Sequence, residues 1–176
     1  MQDHIRNRMA GHGILMIFCT LLFGMFYWMY IVGGFEIGPG FYILEFQLPG
    51  TEKGWSNAHV GPALNGMMVI AVAFVLPLLN FAEAKAKLLA FFIVGDGWGN
   101  VAFYFFGNFS GNRALTFGDS RLGEGDIFSF LGLAPAALFA PFAMYALIVI
   151  GLRAAKLGSS KRTDASGAVR APSTST

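Results

Sequence analysis

The sequence predicts an all-α integral membrane protein built on four transmembrane helices. Three observations predict it. The 176 residues are 55% hydrophobic and 15% aromatic, with a mean hydropathy of +0.58. Charged residues make up 12% of the chain, against about 25% in a soluble domain. The apolar residues gather in four runs, near 10–33, 58–80, 86–107 and 127–152. Each is long enough to cross a hydrocarbon core of about 30 Å.

The first run reads as a retained helix. It is too long for the apolar core of a signal peptide, and no A-x-A-like site follows it. It contains Cys19, the one cysteine. A lone Cys closes no internal disulfide, and the chain has no C-x-x-C-H for covalent haem attachment; packing is the expected role. The loop 34–57 is rich in Gly, Pro and aromatics, and its stretch from Phe41 to Leu48 is expected as a short strand or an interfacial segment. Trp28, Tyr30, Phe35, Tyr42 and Trp55 are expected to form an aromatic belt at that membrane boundary. In the second run, Pro62 is expected in the first turn or two of the helix, where proline is tolerated. The third run contains Asp96, so its carboxyl must face protein rather than lipid. Pro135 and Pro141 are expected to kink the fourth helix unless neighbours satisfy the freed carbonyls. Residues 1–157 thus form one membrane domain with no internal repeat. The segment 158–176 has no apolar period and is expected to be a disordered cytoplasmic tail.

Charge sets the orientation. Arg6, Arg8, Lys85, Lys87, Arg153, Lys156, Lys161, Arg162 and Arg170 are nine of the twelve Lys and Arg residues. With four spans they share one side of the membrane, which the positive-inside rule makes cytoplasmic, together with both termini. The formal charge of +2 is therefore topology. No basic run interleaved with aromatics points to nucleic acid.

Four polar residues inside the spans carry the functional reading: His59, Asn65, Asp96 and Tyr104. A helix advances about 100° and about 1.5 Å per residue. Asp96, Asn100 and Tyr104 therefore step along one helical face. His59 and Asn65 stand about 120° apart around the second helix. They line one cavity only if that cavity is broad or is shared by two neighbours. Antiparallel packing sets His59 level with about position 107 and Asn65 level with about position 101. Tyr104 and Asn100 then lie across from them, with Asp96 about one turn deeper. Bland alternatives stand beside this reading. His59 at a helix start can cap it or meet a headgroup, Asn65 can bridge helices, and Tyr104 can belong to the belt. Asp96 is hardest to dismiss, because a carboxyl in hydrocarbon needs a partner, a proton or water.

Depth also restricts the chemistry. His12 opens the first span at the opposite boundary, about 25 Å or more from His59. Axial nitrogens on one haem are about 4 Å apart, so these two cannot share one. Three histidines in all cannot supply a membrane di-iron centre. A single-histidine metal centre with an open position remains, and imidazole suits haem iron.

The stretches Met9-Ala10-Gly11-His12-Gly13-Ile14-Leu15-Met16, Gly61-Pro62-Ala63-Leu64-Asn65-Gly66-Met67-Met68, Tyr104-Phe105-Phe106-Gly107-Asn108-Phe109-Ser110 and Gly125-Asp126-Ile127-Phe128-Ser129-Phe130 resemble the styrene oxide isomerase family. The resemblance covers nearly all of 9–153. It implies a small enzyme of the bacterial inner membrane, a homotrimer of four-helix subunits with ferric haem b at their interfaces. It implies conversion of styrene oxide to phenylacetaldehyde by Lewis-acid epoxide opening and a 1,2-hydride shift, in styrene degradation. By position in the motifs, His59 would be the axial ligand of the haem iron, and Tyr104, Asn65 and Asp96 the substrate-side residues. Trp98, Phe103 and Phe105 are candidate pocket walls. Two other classes are kept in view: a non-catalytic haem-b electron-transfer subunit, which needs a second strong ligand, and a cofactor-free transporter, in which Asp96 would relay protons.

Overall fold

The computed structural model describes residues 3–38 and 43–168, with side chains described throughout except at 43 and 158–168. Tyr42 of the expected belt and residues 169–176 of the expected tail lie outside the described residues.

Helix α1 spans Asp3–Val32. It begins before the apolar run because its polar leader is helix-competent: Asp3 pairs with Arg6 at 3.0 Å, one turn apart. It ends at Gly33, whose φ of +73° suits a residue without Cβ. Strands β1 (Gly34–Glu36) and β2 (Ile43–Glu45) follow. They pair antiparallel with Phe35 opposite Leu44, so the ambiguous aromatic stretch contributes a strand.

Helix α2 spans Glu52–Val75 and tightens into a 3-10 turn, Leu76–Leu79. It starts earlier than the apolar run because Thr51 caps it: the Gly54 amide donates to Thr51 Oγ1 at 3.0 Å. Pro62 is consequently inside the helix rather than in its first turns. Asn80, in the left-handed region at φ 52°, stops the chain from continuing. The Arg153 guanidinium donates to the Leu79 carbonyl at 3.2 Å, satisfying an end the helix leaves open.

Helix α3 spans Glu83–Gly107, and α4 spans Ile127–Ala168, continuous through Pro135 and Pro141. The helix as described runs on through 158–168. An already nucleated helix is extended more cheaply than a new one is started, and the chain has no further proline before Pro172. Among the described residues, four helices are long and apolar enough to cross a membrane.

Helices α1 and α2 are antiparallel and touch backbone to backbone. A Cβ at Gly66 would lie 2.6 Å from the Gly13 carbonyl oxygen. Such small-residue seams are how membrane helices gain contact when lipid is as apolar as their side chains. Helix α3 packs on both: a Cβ at Gly97 would meet Met16 Cε at 2.6 Å and Val69 Cγ2 at 3.2 Å. Helix α4 packs on the far side of α3, where a Cβ at Gly99 would meet the Pro135 carbonyl at 2.9 Å. Met16, Val69 and Ile93 are fully buried at the centre, with Cys19 packed against that core. Ile14, Phe18 and Leu21 of α1 face outward.

Trp55 is not a belt residue. It is 3% exposed, its indole donates to the Pro49 carbonyl at 3.0 Å, and it meets Phe26, Phe105 and Phe109 edge-on at 5.7–6.4 Å. Residue type alone does not separate a belt tryptophan from a buried one, because both need an apolar body and one hydrogen bond.

The loop before α4 is tied by side chains. Asp126 Oδ1 accepts from the Ser129 amide at 2.6 Å while Ser129 Oγ accepts from the Asp126 amide at 3.1 Å, a reciprocal cap. Asp126 Oδ2 accepts from the Gly111 amide at 3.0 Å, and buried Ser110, Asn112 and Ser129 bond one another. The Gly111 and Ser129 amides hold the Asp126 carboxyl below the usual carboxylate range. A depressed folded value contributes stability above the unfolded value, about 3.9, and loses it as pH falls through the folded value. Asp126→Ala is therefore expected to lower the thermal midpoint at neutral pH. It should also flatten the loss of stability that the parent shows on acidification below about pH 4; a pH series of melting curves for both proteins checks this.

Candidate functional site

His59 is half-buried on the face of α2 that meets α1. Its Nδ1 lies 2.9 Å from the Thr20 carbonyl oxygen. A carbonyl only accepts, so Nδ1 carries the proton and Nε2 is left with its lone pair. This is the orientation that frees an imidazole for a metal. The ring fits because residue 24 is glycine: a Cβ there would fall 2.5 Å from Nδ1 and 2.6 Å from Cε1. The Thr20 hydroxyl is buried and has no hydrogen-bond partner among the described residues. Neither Thr20 nor Gly24 was singled out from the sequence. The available signal was a polar and a small residue, one turn apart, at the depth on the first helix that faces His59.

Tyr104 and Asn65 converge on a different face of α2. The Tyr104 ring lies against Gly61, where any Cβ would overlap it. Asn65 Nδ2 donates to the Gly61 carbonyl at 3.0 Å, so Gly61 joins the two. The Tyr104 hydroxyl makes no hydrogen bond to another described residue, and Phe103 meets the ring edge-on at 5.6 Å. Gly61 opposite Tyr104 and Val69 opposite Gly97 follow the antiparallel register inferred from the sequence.

Asp96 is buried, at 9% exposure. Asn100 Nδ2 donates to its Oδ2 at 3.2 Å and to its backbone carbonyl at 3.1 Å. Tyr104 is eight positions on from Asp96, about 12 Å along the helix, so the Asp96–Asn100 pair lies deeper than the Tyr104 ring.

The azimuths divide the set. Gly61 is about 160° around α2 from His59 and about 40° from Asn65. His59 thus belongs to the α1 side of α2, and Asn65 and Tyr104 to the α3 side. They share a depth but not a face.

Trp98 and Phe105, candidate pocket walls, are engaged elsewhere. The Trp98 indole donates to His12 Nδ1 at 3.2 Å, and Phe105 stacks on Phe23 at 5.0 Å. Among the described residues no three His, Cys, Asp or Glu side chains gather to hold a metal ion. What the arrangement offers a metal is one imidazole.

A family model described as styrene oxide isomerase matches residues 5–155. The chain belongs to the styrene oxide isomerase family. The styrene-oxide isomerase of Pseudomonas fluorescens is 66% identical over 162 residues, 92% of this chain and 95% of the relative. Membership makes the protein an enzyme of the isomerase class.

Proposed function

We propose that this protein is a membrane-bound homotrimeric isomerase. It converts styrene oxide to phenylacetaldehyde with haem b held by His59 and styrene oxide reaching the site through lipid. The termini lie on the cytoplasmic side of a bacterial inner membrane. The observation that carries the reaction is the 66% identity to a styrene-oxide isomerase across 92% of the chain.

The residues around His59 fit an imidazole that would hold a haem. Nδ1 is tied to the Thr20 carbonyl, Gly24 clears the ring, and the unpaired Thr20 hydroxyl leaves polar capacity beside it. Haem iron bound at His59 would supply a Lewis acid for the epoxide oxygen. Among the described residues the other histidine within a span, His12, is bonded to Trp98 toward the other end of the bundle and offers no second imidazole beside His59. That disfavours the electron-transfer alternative.

The reaction is balanced within the substrate. The benzylic C–O bond breaks, a hydride moves from the neighbouring CH2 carbon to the benzylic carbon, and the oxygen becomes the aldehyde carbonyl. No proton or electron enters or leaves. The chain's task is therefore orientation, charge stabilisation and exclusion of water, which would trap the cation as a diol. The uncommitted Tyr104 hydroxyl is the donor for the epoxide oxygen as negative charge develops on it. Asn65, tethered to Gly61, fixes that wall. Asp96 acts at one remove by holding Asn100. Because His59 and Tyr104 occupy different faces of α2, the two sets meet where His59 of one subunit faces Tyr104 and Asn65 of the next.

The purified protein in detergent should show a Soret band that shifts on adding styrene oxide, with phenylacetaldehyde accumulating without reductant or nucleotide. A colourless preparation that stays inactive after haem reconstitution would sink the cofactor assignment. Gly24→Ala provides a sharper check of the His59 setting. The added methyl overlaps the imidazole, so haem content at equal protein is expected to fall about 10- to 100-fold in affinity terms, as for other groups that orient a metal ligand. Haem titration followed at the Soret band measures it.

A further inference from the structure

At the end of the bundle opposite His59, a cavity of about 490 Å³ opens between the first turns of α1 and α3. Met9 and Phe91 are among its apolar walls, and the hydrogen-bonded Trp98–His12 pair lies at its inner end. His4, Arg8 and Lys87 also line it. Positions 4, 8 and 12 on one helix and 87, 91 and 98 on the other recur at helical spacing, so two facing stripes make one groove.

Its charges are unevenly matched. The Glu83 carboxylate pairs with Lys87 at 2.6 Å and lies 3.8 Å from His4. Asp3 is paired with Arg6. Arg8 is in no ion pair among the described residues. An unmatched guanidinium therefore stands over an apolar cavity at the level where the apolar run of α1 gives way to its polar leader.

We propose that this cavity seats an anionic phospholipid, its phosphate at Arg8 and Lys87 and the first part of an acyl chain along Met9 and Phe91. The proposal rests on the membrane reading and not on the reaction. A guanidinium matches phosphate geometry in two-point contact, and basic pockets between helices at a membrane boundary take lipid headgroups. The neutral epoxide has no use for these cations, and a small soluble anion would leave the apolar walls uncovered.

The test compares the full-length protein with Arg8→Ala/Lys87→Ala and with the milder Arg8→Gln. Each is placed in nanodiscs of phosphatidylcholine alone or with phosphatidylglycerol. Thermal midpoint and co-purifying lipid are measured, the latter by mass spectrometry of the intact assembly. Phosphatidylglycerol is expected to raise the parent midpoint by several degrees and to survive delipidation as a bound adduct. Arg8→Gln should weaken that retention about tenfold, and the double variant should abolish it. Equal responses in parent and variants would overturn the site. So would equal stabilisation by inorganic phosphate in phosphatidylcholine discs, which would make it a soluble-anion site. Loss of subunits from the double variant in place of lipid would assign the groove to a second copy of the chain. A parent protein washed off membranes by alkaline carbonate would overturn the membrane reading along with this one; firm insertion without a phosphatidylglycerol response overturns this one alone.

Discussion

Replacing His59 with glycine is expected to remove the characteristic Soret band at equal protein concentration and to lower isomerase turnover at least about 100-fold, the upper end of what the loss of a mere supporting group costs a metal site. The fold should survive. His59 is half-buried and packs on Thr20 and Gly24, while the central core of Met16, Val69 and Ile93 does not involve it. The variant should therefore still insert and assemble. Free imidazole supplies the missing ligand without restoring any backbone contact, so its addition is expected to recover part of the haem spectrum and part of the turnover. Recovery separates a ligand from a packing residue. An unchanged spectrum in the variant would end the assignment of His59, and an altered spectrum with full turnover would detach the haem from the reaction.

The four long apolar helices were legible because the length and composition that hydrocarbon would demand are ones few other environments ask for. Their ends were less legible, because a helix does not stop where its apolar run does. Thr51 caps α2 outside the apolar run, and that moved Pro62 from a helix start to a helix interior. The depth of the polar residues was also readable, since antiparallel helices of fixed rise convert sequence separation into level; Gly61 beside Tyr104 follows that register. Azimuth was not. A single helix gives the angle between His59 and Asn65 but not which neighbour each angle meets. That depends on the small-residue seam of Gly13 and Gly66, which turns the His59 side of α2 toward α1. Gly24 and the Thr20 carbonyl become meaningful only after this seam is known. A backbone carbonyl leaves no trace in residue identity at all.

The division of His59 and Tyr104 between two faces leads to the prediction with the greatest reach. Tyr104→Phe keeps the ring against Gly61 and removes only the hydroxyl, so it should lower turnover about 100-fold, the cost of a lost charge-stabilising donor, with haem content unchanged. His59→Ala should be inactive for want of the ligand. Co-expressed in equal amounts, these two inactive chains are expected to recover about a quarter of parental activity if each site joins His59 of one subunit to Tyr104 of the next around a closed ring. The arithmetic is that half of the sites receive an intact His59, and half of those an intact Tyr104. If a single subunit held both residues, every site in every mixed assembly would lack one of them, and mixing would restore nothing. The haem content of the mixture should be about half of parental in either case, since His59 alone decides it. Recovery of turnover beyond both single variants is thus the reading that only a shared site produces, and its absence at half-loaded haem would place Tyr104 and His59 in the same subunit despite their opposite faces.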